Sequence, residues 1–225
     1  MIADQLQILL RSGTRRMGEL SFQTGVSGCG FILYHHLDTA LAEAPGFGGL
    51  ARHVGPSAAR ELATFTAGGE YRCAKARADL RRGWVLVLAD SEELRQALDQ
   101  FYPAAVGLLL ALRDGTLEIQ HLRAKLGRQS GMLRVARNIS DAEAQRLVRE
   151  VCGPAHHCAK RILWQIDADT PLEDSAASRY HGIPGGVAEG AAIPLLCREA
   201  CNHFVDECRR AAANGMVQRA KRSTP

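Results

Sequence analysis

Two pairs of cysteines carry most of the chemistry this sequence can do. Cys152 and Cys158 stand in "VCGPAHHCAK", on either side of a Gly-Pro break with His156 and His157 between them, and Cys197 and Cys201 follow in "IPLLCREACNHF". Thiolates are soft donors that suit zinc or an iron-sulfur cluster. A cubane cluster takes four of them, and two pairs from separate segments could close around it. Tetrahedral zinc is the other fit, with Zn–S bonds of about 2.3 Å that hold the sulfurs close together. The spacings C-x5-C and C-x3-C match neither the C-x2-C zinc pattern nor the bacterial ferredoxin run. Read as one helical turn, C-x3-C leans toward a cluster, because cluster thiolates bind different irons and lie further apart. Burial competes with both readings, since free cysteine packs as a small hydrophobe.

The other chemistry-bearing residues are weaker. His156 and His157 could replace a cysteine as ligand, but polar loop histidines are more often solvated. Cys208 falls on an apolar stripe and reads as core, while Cys29 and Cys73 have no partner nearby in sequence and read as structural. Seven cysteines, an odd number, argue for thiolate chemistry or burial over a disulfide framework. His35 and His36 on an expected strand would point to opposite faces and make a poor chelating pair. No paired carboxylates, Ser-His-Asp arrangement or phosphate-cradling glycine loop is visible, so no independent catalytic activity is expected.

The elements that must position these residues indicate an α+β chain. The expected organisation is a small mixed α/β N-terminal domain over residues 1–110, then a mostly helical cluster-binding domain over 111–225. Gly30 to Asp38 and Gly83 to Asp90 are bounded runs of strand length for a small antiparallel sheet. Between them, Ser57 can cap a helix carrying Ala58, Leu62 and Phe65, stopped at Gly68-Gly69. Ser91 can cap another with Leu94, Ala97, Leu98 and Phe101 on one face, ended by Pro103. A further helical run reaches Arg113. Residues 114–140 read as short strands and a basic loop around Gly127 and Gly131. Ser140 and Glu143 then form a capping box that opens a helix through Ala144, Leu147, Val148 and Val151 and delivers Cys152 at its end. Residues 167–192 read as a long loop. From Pro194 a final helix is expected, with Ile193, Leu196, Cys197, Ala200, Cys201, Phe204, Val205 and Cys208 in one stripe.

Charge adds one candidate surface. The net charge is only +4, but residues 119–137 hold Arg123, Lys125, Arg128, Arg134 and Arg137 with no acid, and residues 209–225 repeat that balance. Such a patch suits phosphate, nucleic acid or a polycarboxylate. The C-terminal run reads better as a solvated tail. The early apolar stretch lacks a basic leader or cleavage site, and "AAVGLLLALR" is too short to cross a bilayer, so a cytoplasmic protein is expected.

Three stretches together resemble a known family. "RRGWVLVLAD...LRQALDQFYPAAVG", "RQSGMLRVARNISDAEAQRLVREVCGPAHHCAKRILWQ" and "IPLLCREACNHFVDECR" are similar to the C-terminal part of proteins that join a CbiX-type sirohydrochlorin cobaltochelatase domain to a stabilising domain and a 4Fe-4S-binding domain. The resemblance covers most of the chain. It implies a 4Fe-4S cluster on Cys152, Cys158, Cys197 and Cys201. No stretch of chelatase length or character precedes it, so the expectation is a freestanding accessory protein of cobalamin or sirohaem-type tetrapyrrole synthesis. Its expected partner is a CbiX-type chelatase or another tetrapyrrole enzyme, with the basic stretch meeting an anionic tetrapyrrole or an acidic surface. The cluster would serve redox sensing, electron transfer or structural support. The alternative is a zinc- or cluster-containing nucleic-acid-binding regulator; the basic stretches have little aromatic interleaving and no recognisable reading helix, which counts against it.

Overall fold

A computed structural model describes residues 15–25, 30–73, 75, 77–152, 158, 160–166, 192–193, 195–197 and 199–222. Cys29, His156, His157, the Gly153-Pro154 break and nearly all of the expected 167–192 loop lie outside the described residues. The chain divides into two compact units, residues 1–117 with 183–195, and residues 118–182 with 196–225. The division thus falls after the expected residue 110. The first unit also takes back a segment that the sequence reading assigned to the second.

The first unit is built on a six-stranded sheet of order β4-β5-β3-β2-β1-β9. Strands β1 (Arg15–Met17) and β2 (Leu20–Thr24) form a hairpin, and β3 (Phe31–His35) pairs antiparallel with both β2 and β5 (Trp84–Leu88). The expected antiparallel sheet is in fact mixed, because β4 (Ala51–Val54) runs parallel to β5 and β9 (Ala192–Ile193) parallel to β1. The hairpin turns at Gly18, with φ of +60°, where an added Cβ would come within 2.5 Å of Leu195 Cδ1 and 2.7 Å of the Tyr102 hydroxyl. Both the left-handed backbone and the lack of space demand glycine there.

Every residue of β3 is buried, as expected of a central strand covered on both faces. Ile32 and Tyr34 pack with Val85, Ala42 and Leu50 in one apolar cluster. Beyond the short helices α1 (Thr39–Glu43) and α2 (Ser57–Leu62) lies α3 (Ser91–Phe101), which buries Leu94, Ala97, Leu98 and Phe101. The Trp84 and Phe101 rings stack at 5.4 Å. The helix cap is Asp90 instead of the expected Ser91: its carboxylate accepts from the Glu92 and Glu93 amides, which its extended backbone allows. Likewise Ser57 is the first helical residue and follows Pro56 at the cap. Helix α4 (Ala105–Arg113) closes at Gly115, φ +68°.

The second unit is mostly helical. The stretch expected as strands and a basic loop is a two-residue strand β6 (Gln120–His121) followed by helices α5 (Leu122–Arg128) and α6 (Leu133–Asn138). His121 caps α5 by accepting from the Arg123 amide, and Leu122 and Leu126, one turn apart, are fully buried. Helix α7 (Asp141–Cys152) forms as expected, buries Ala144, Leu147, Val148 and Val151, and has the Glu143 amide donating to Ser140 Oγ at 3.2 Å. Strand β7 (Lys160–Ile162) pairs with β10 (Leu195–Cys197), and β8 (Trp164–Gln165) lies parallel to β6. The last helix, α8 (Asn202–Arg222), packs against α6 and α7. Its residues Phe204, Val205 and Cys208 belong to one buried cluster with Trp164, Val151 and Leu147.

Candidate metal centre

The four paired cysteines enter the second unit from three kinds of element. Cys152 is the last residue of α7, Cys158 lies in the short approach to β7, and Cys197 ends β10. Cys201 immediately precedes α8. The C-x3-C pair therefore does not occupy one turn of a helix, as the sequence reading required. Leu196 and Cys197 pair in a strand with β7, and the helix begins only at Asn202, after Cys201 has capped it. The Cys201 carbonyl accepts from the Val205 amide at 2.9 Å, and its sulfur accepts from the Phe204 amide at 3.5 Å. A sulfur at the N-terminus of a long helix is well placed to carry negative charge.

Three of the four thiols are pushed upward. Burial pushes the Cys152 thiol well above its ordinary range, and charges on Cys158, Cys197, Cys201 and Cys208 each raise it further. Burial pushes Cys197 up to about 12, against a lowering by Lys160 and with added raising by Cys201 and Cys158. Cys158 is also raised, chiefly by burial, while its S–H donates to the Lys160 carbonyl at 3.8 Å. The Cys197 S–H donates to the Glu199 carbonyl at 2.9 Å.

These are poor conditions for free thiolates. Crowded, desolvated and mutually repelling sulfurs become thiolates when a cationic core offsets their charge, so the donor set fits a soft, multiply charged iron centre. Among the described residues, no group of three or more His, Cys, Asp or Glu is drawn together as a single metal ion requires. Cys208 belongs to the same neighbourhood. It is fully buried in the core and pushed up to about 12, first by burial and then by Cys201, which fits its reading as a packing residue. Cys73 is exposed in the first unit.

The basic stretch is not one surface. Arg123 Nη2 donates to Asp141 Oδ2 at 3.1 Å and its Nε lies 2.8 Å from Oδ1 in an ion pair, with His121 3.8 Å from the same carboxylate. Lys125 and Arg128 instead face a groove shared with the start of α8, and Arg134 and Arg137 are exposed on α6. In the C-terminal run, Arg209 and Arg210 pair with Asp206 and Glu207. The expected His35-His36 divergence is also corrected: the strand ends at His35, a 3-10 turn begins at His36, and the rings stack 4.9 Å apart. His35 is buried against Glu19 at 3.4 Å and is not a site residue.

Sequence reasoning did not single out Lys160 and Arg161. The signal was present, since cations two and three residues after Cys158 fall on a strand beside Cys197. Their charges favour the Cys158 thiolate, and Lys160 favours that of Cys197.

The cysteines carried by the helical unit are donors of the kind an iron-sulfur centre uses. Residues 2–111 match the DR2241 stabilising domain and residues 114–210 match a 4Fe-4S iron-sulfur cluster binding domain. Together the two matches cover most of the chain, and its cofactor is a 4Fe-4S cluster. The fold is similar to the crystal structure of DR2241 from Deinococcus radiodurans, with a TM-score of 0.67 and 25% identity over 94% of this chain. That protein is described as multi-domain, with structural similarity to chelatases and two additional novel domains. This chain spans 41% of its length. No curated protein matches the sequence. Among the described residues, no helix is long and apolar enough to cross a membrane.

Proposed function

We propose that the chain is an accessory module of tetrapyrrole metal insertion, in which a 4Fe-4S cluster held by Cys152, Cys158, Cys197 and Cys201 supports a chelatase-like domain. That domain is supplied by the same or by another polypeptide. What supports the ligand assignment is that all four cysteines fall within the stretch matched by the 4Fe-4S cluster binding domain and are carried by the second unit, at the end of α7, before β7, at the end of β10 and at the cap of α8. The association with a chelatase rests on the similarity to a multi-domain protein that resembles chelatases.

When bound, the cluster supplies a redox-active, charge-bearing core. The chain's own residues would supply four thiolates, with the buried core residues Val151 and Phe204 close in sequence to Cys152 and Cys201, and the cations Lys160 and Arg161 following Cys158. The test is anaerobic purification with iron and sulfide analysis, followed by mixing with a CbiX-type chelatase, sirohydrochlorin and cobalt. Four irons and four sulfides per chain, with a changed insertion rate on mixing, are the expected results. Metal insertion by the chain alone would overturn the accessory role.

A further inference from the structure

A cavity of about 650 Å³ opens in the second unit where α5 and the turn after it meet the start of α8. Its size is typical of sites for small organic molecules, which run from about 300 to 1,000 Å³. Lys125 and Arg128 line it, and no carboxylate among the described residues pairs with either; the Arg128 guanidinium donates only to the Gln120 amide oxygen, at 3.0 Å. Of the acids on the wall, Asp206 is already paired with Arg209, which leaves Glu199. The lining is mainly polar, with the buried side chains of Met132 and Val205 beneath it.

We propose that this cavity is a binding site for a small organic carboxylate. The cations Lys125 and Arg128 would take the carboxylate groups, Arg128 by its planar fork. The volume of the cavity leaves room for the hydrocarbon part, which inorganic phosphate lacks. Glu199 at the wall repels a compact dianion and favours charge that is spread along a chain. The site also adjoins the metal centre: Glu199 and Asn202 flank Cys201, and Gln129 on the cavity wall bonds the carbonyl of Ala200 at 3.0 Å. The cavity stands apart from the ligand assignment, but its coupling to the cluster rests on Cys201 being a ligand.

The experiment is isothermal titration of the anaerobically purified holoprotein with succinate, and separately with inorganic phosphate, at constant ionic strength. Succinate is expected to bind saturably, to perturb the visible circular dichroism of the cluster, and to lose affinity about tenfold or more in Lys125→Gln and in Arg128→Gln. Arg134→Gln, an exposed cation outside the cavity, should bind as the native form does. Both cavity residues lie at the surface side of α5, so their variants are expected to keep native iron content and helicity. No saturable succinate binding, phosphate bound as tightly, or an equal loss in Arg134→Gln overturns the proposal. Full iron in Cys201→Ser with succinate binding intact would remove the ligand assignment and leave the cavity standing.

Discussion

The side-chain amide of Gln129 donates to the backbone carbonyl of Ala200 at 3.0 Å, fastening the turn between α5 and α6 to the residue before Cys201. The bond crosses 71 positions of sequence, so it closes the second unit around the start of α8. Gln129→Leu keeps the volume and removes the donor, leaving the Ala200 carbonyl in a buried residue without its partner. The expected cost is about 1–2 kcal/mol, read by urea unfolding of the holoprotein. Cluster loss to a chelator should speed up in step, because cluster binding and folding are linked. Unchanged stability would show that the bond does not hold this end of α8.

Serine in place of any one of Cys152, Cys158, Cys197 or Cys201 should strip most of the iron and loosen the second unit. Cys208→Ser is expected to behave differently. Its side chain is fully buried in the core, so the hydroxyl should cost stability through an unpaired polar group while iron is retained. Cys73→Ser, exposed in the other unit, should change neither. Iron analysis and unfolding curves separate the three classes, and iron lost from Cys208→Ser but kept by Cys158→Ser would reverse the assignment.

What was legible in the sequence was local. The Ser140 cap and the spacing of Ala144, Leu147, Val148 and Val151 specify α7 within its own residues, and it delivers Cys152 where expected. Only half of the capping box forms, because Glu143 turns to Arg146 at 2.7 Å. What stayed hidden depends on distant partners. Cys197 sits on a three-residue strand that is stable only against β7, so a stripe that continues into α8 imitates one longer helix. Strand β9 is two residues long and is defined by its register on Arg16 and Met17, far away in sequence. The hairpin of β1 and β2 left a faint signal, Met17, Leu20 and Phe22 around Gly18-Glu19, too short to stand out. The basic stretch concealed two helices because Gly127 and Gly131 read as breakers, whereas Leu122 and Leu126 supply the buried face.

Glu19 is a buried carboxyl group of the first unit. Both its oxygens accept from the Leu80 amide, at 3.1 and 3.2 Å, and Arg72 and His35 approach at 3.4 Å. Arg72 has no exposed side-chain surface and also bonds Asp79 at 2.7 Å, so the group fastens Arg72 and Leu80 to the hairpin. Glu19→Ala leaves a buried guanidinium short of a partner, at an expected cost of about 3–5 kcal/mol. Iron content should not change, since the cysteine centre lies in the other unit. Parallel loss of iron would mean that the two units fold as one.

Lys160 should set the reduction potential of the cluster. It lies on β7, paired with the strand that ends in Cys197, and its charge favours the thiolates of both Cys197 and Cys158. Reduction adds negative charge to a core already ringed by four thiolates, so a nearby cation stabilises the reduced form more than the oxidised one. Lys160→Gln is therefore expected to lower the potential by on the order of tens of millivolts, and Lys160→Arg to restore it. Arg161, more exposed and more strongly screened, should give a smaller shift. A spectroscopic redox titration of iron-replete protein measures all three. A shift that shrinks as salt is raised supports an electrostatic cause, whereas the same potential in Lys160→Gln and the native protein would remove Lys160 from the centre.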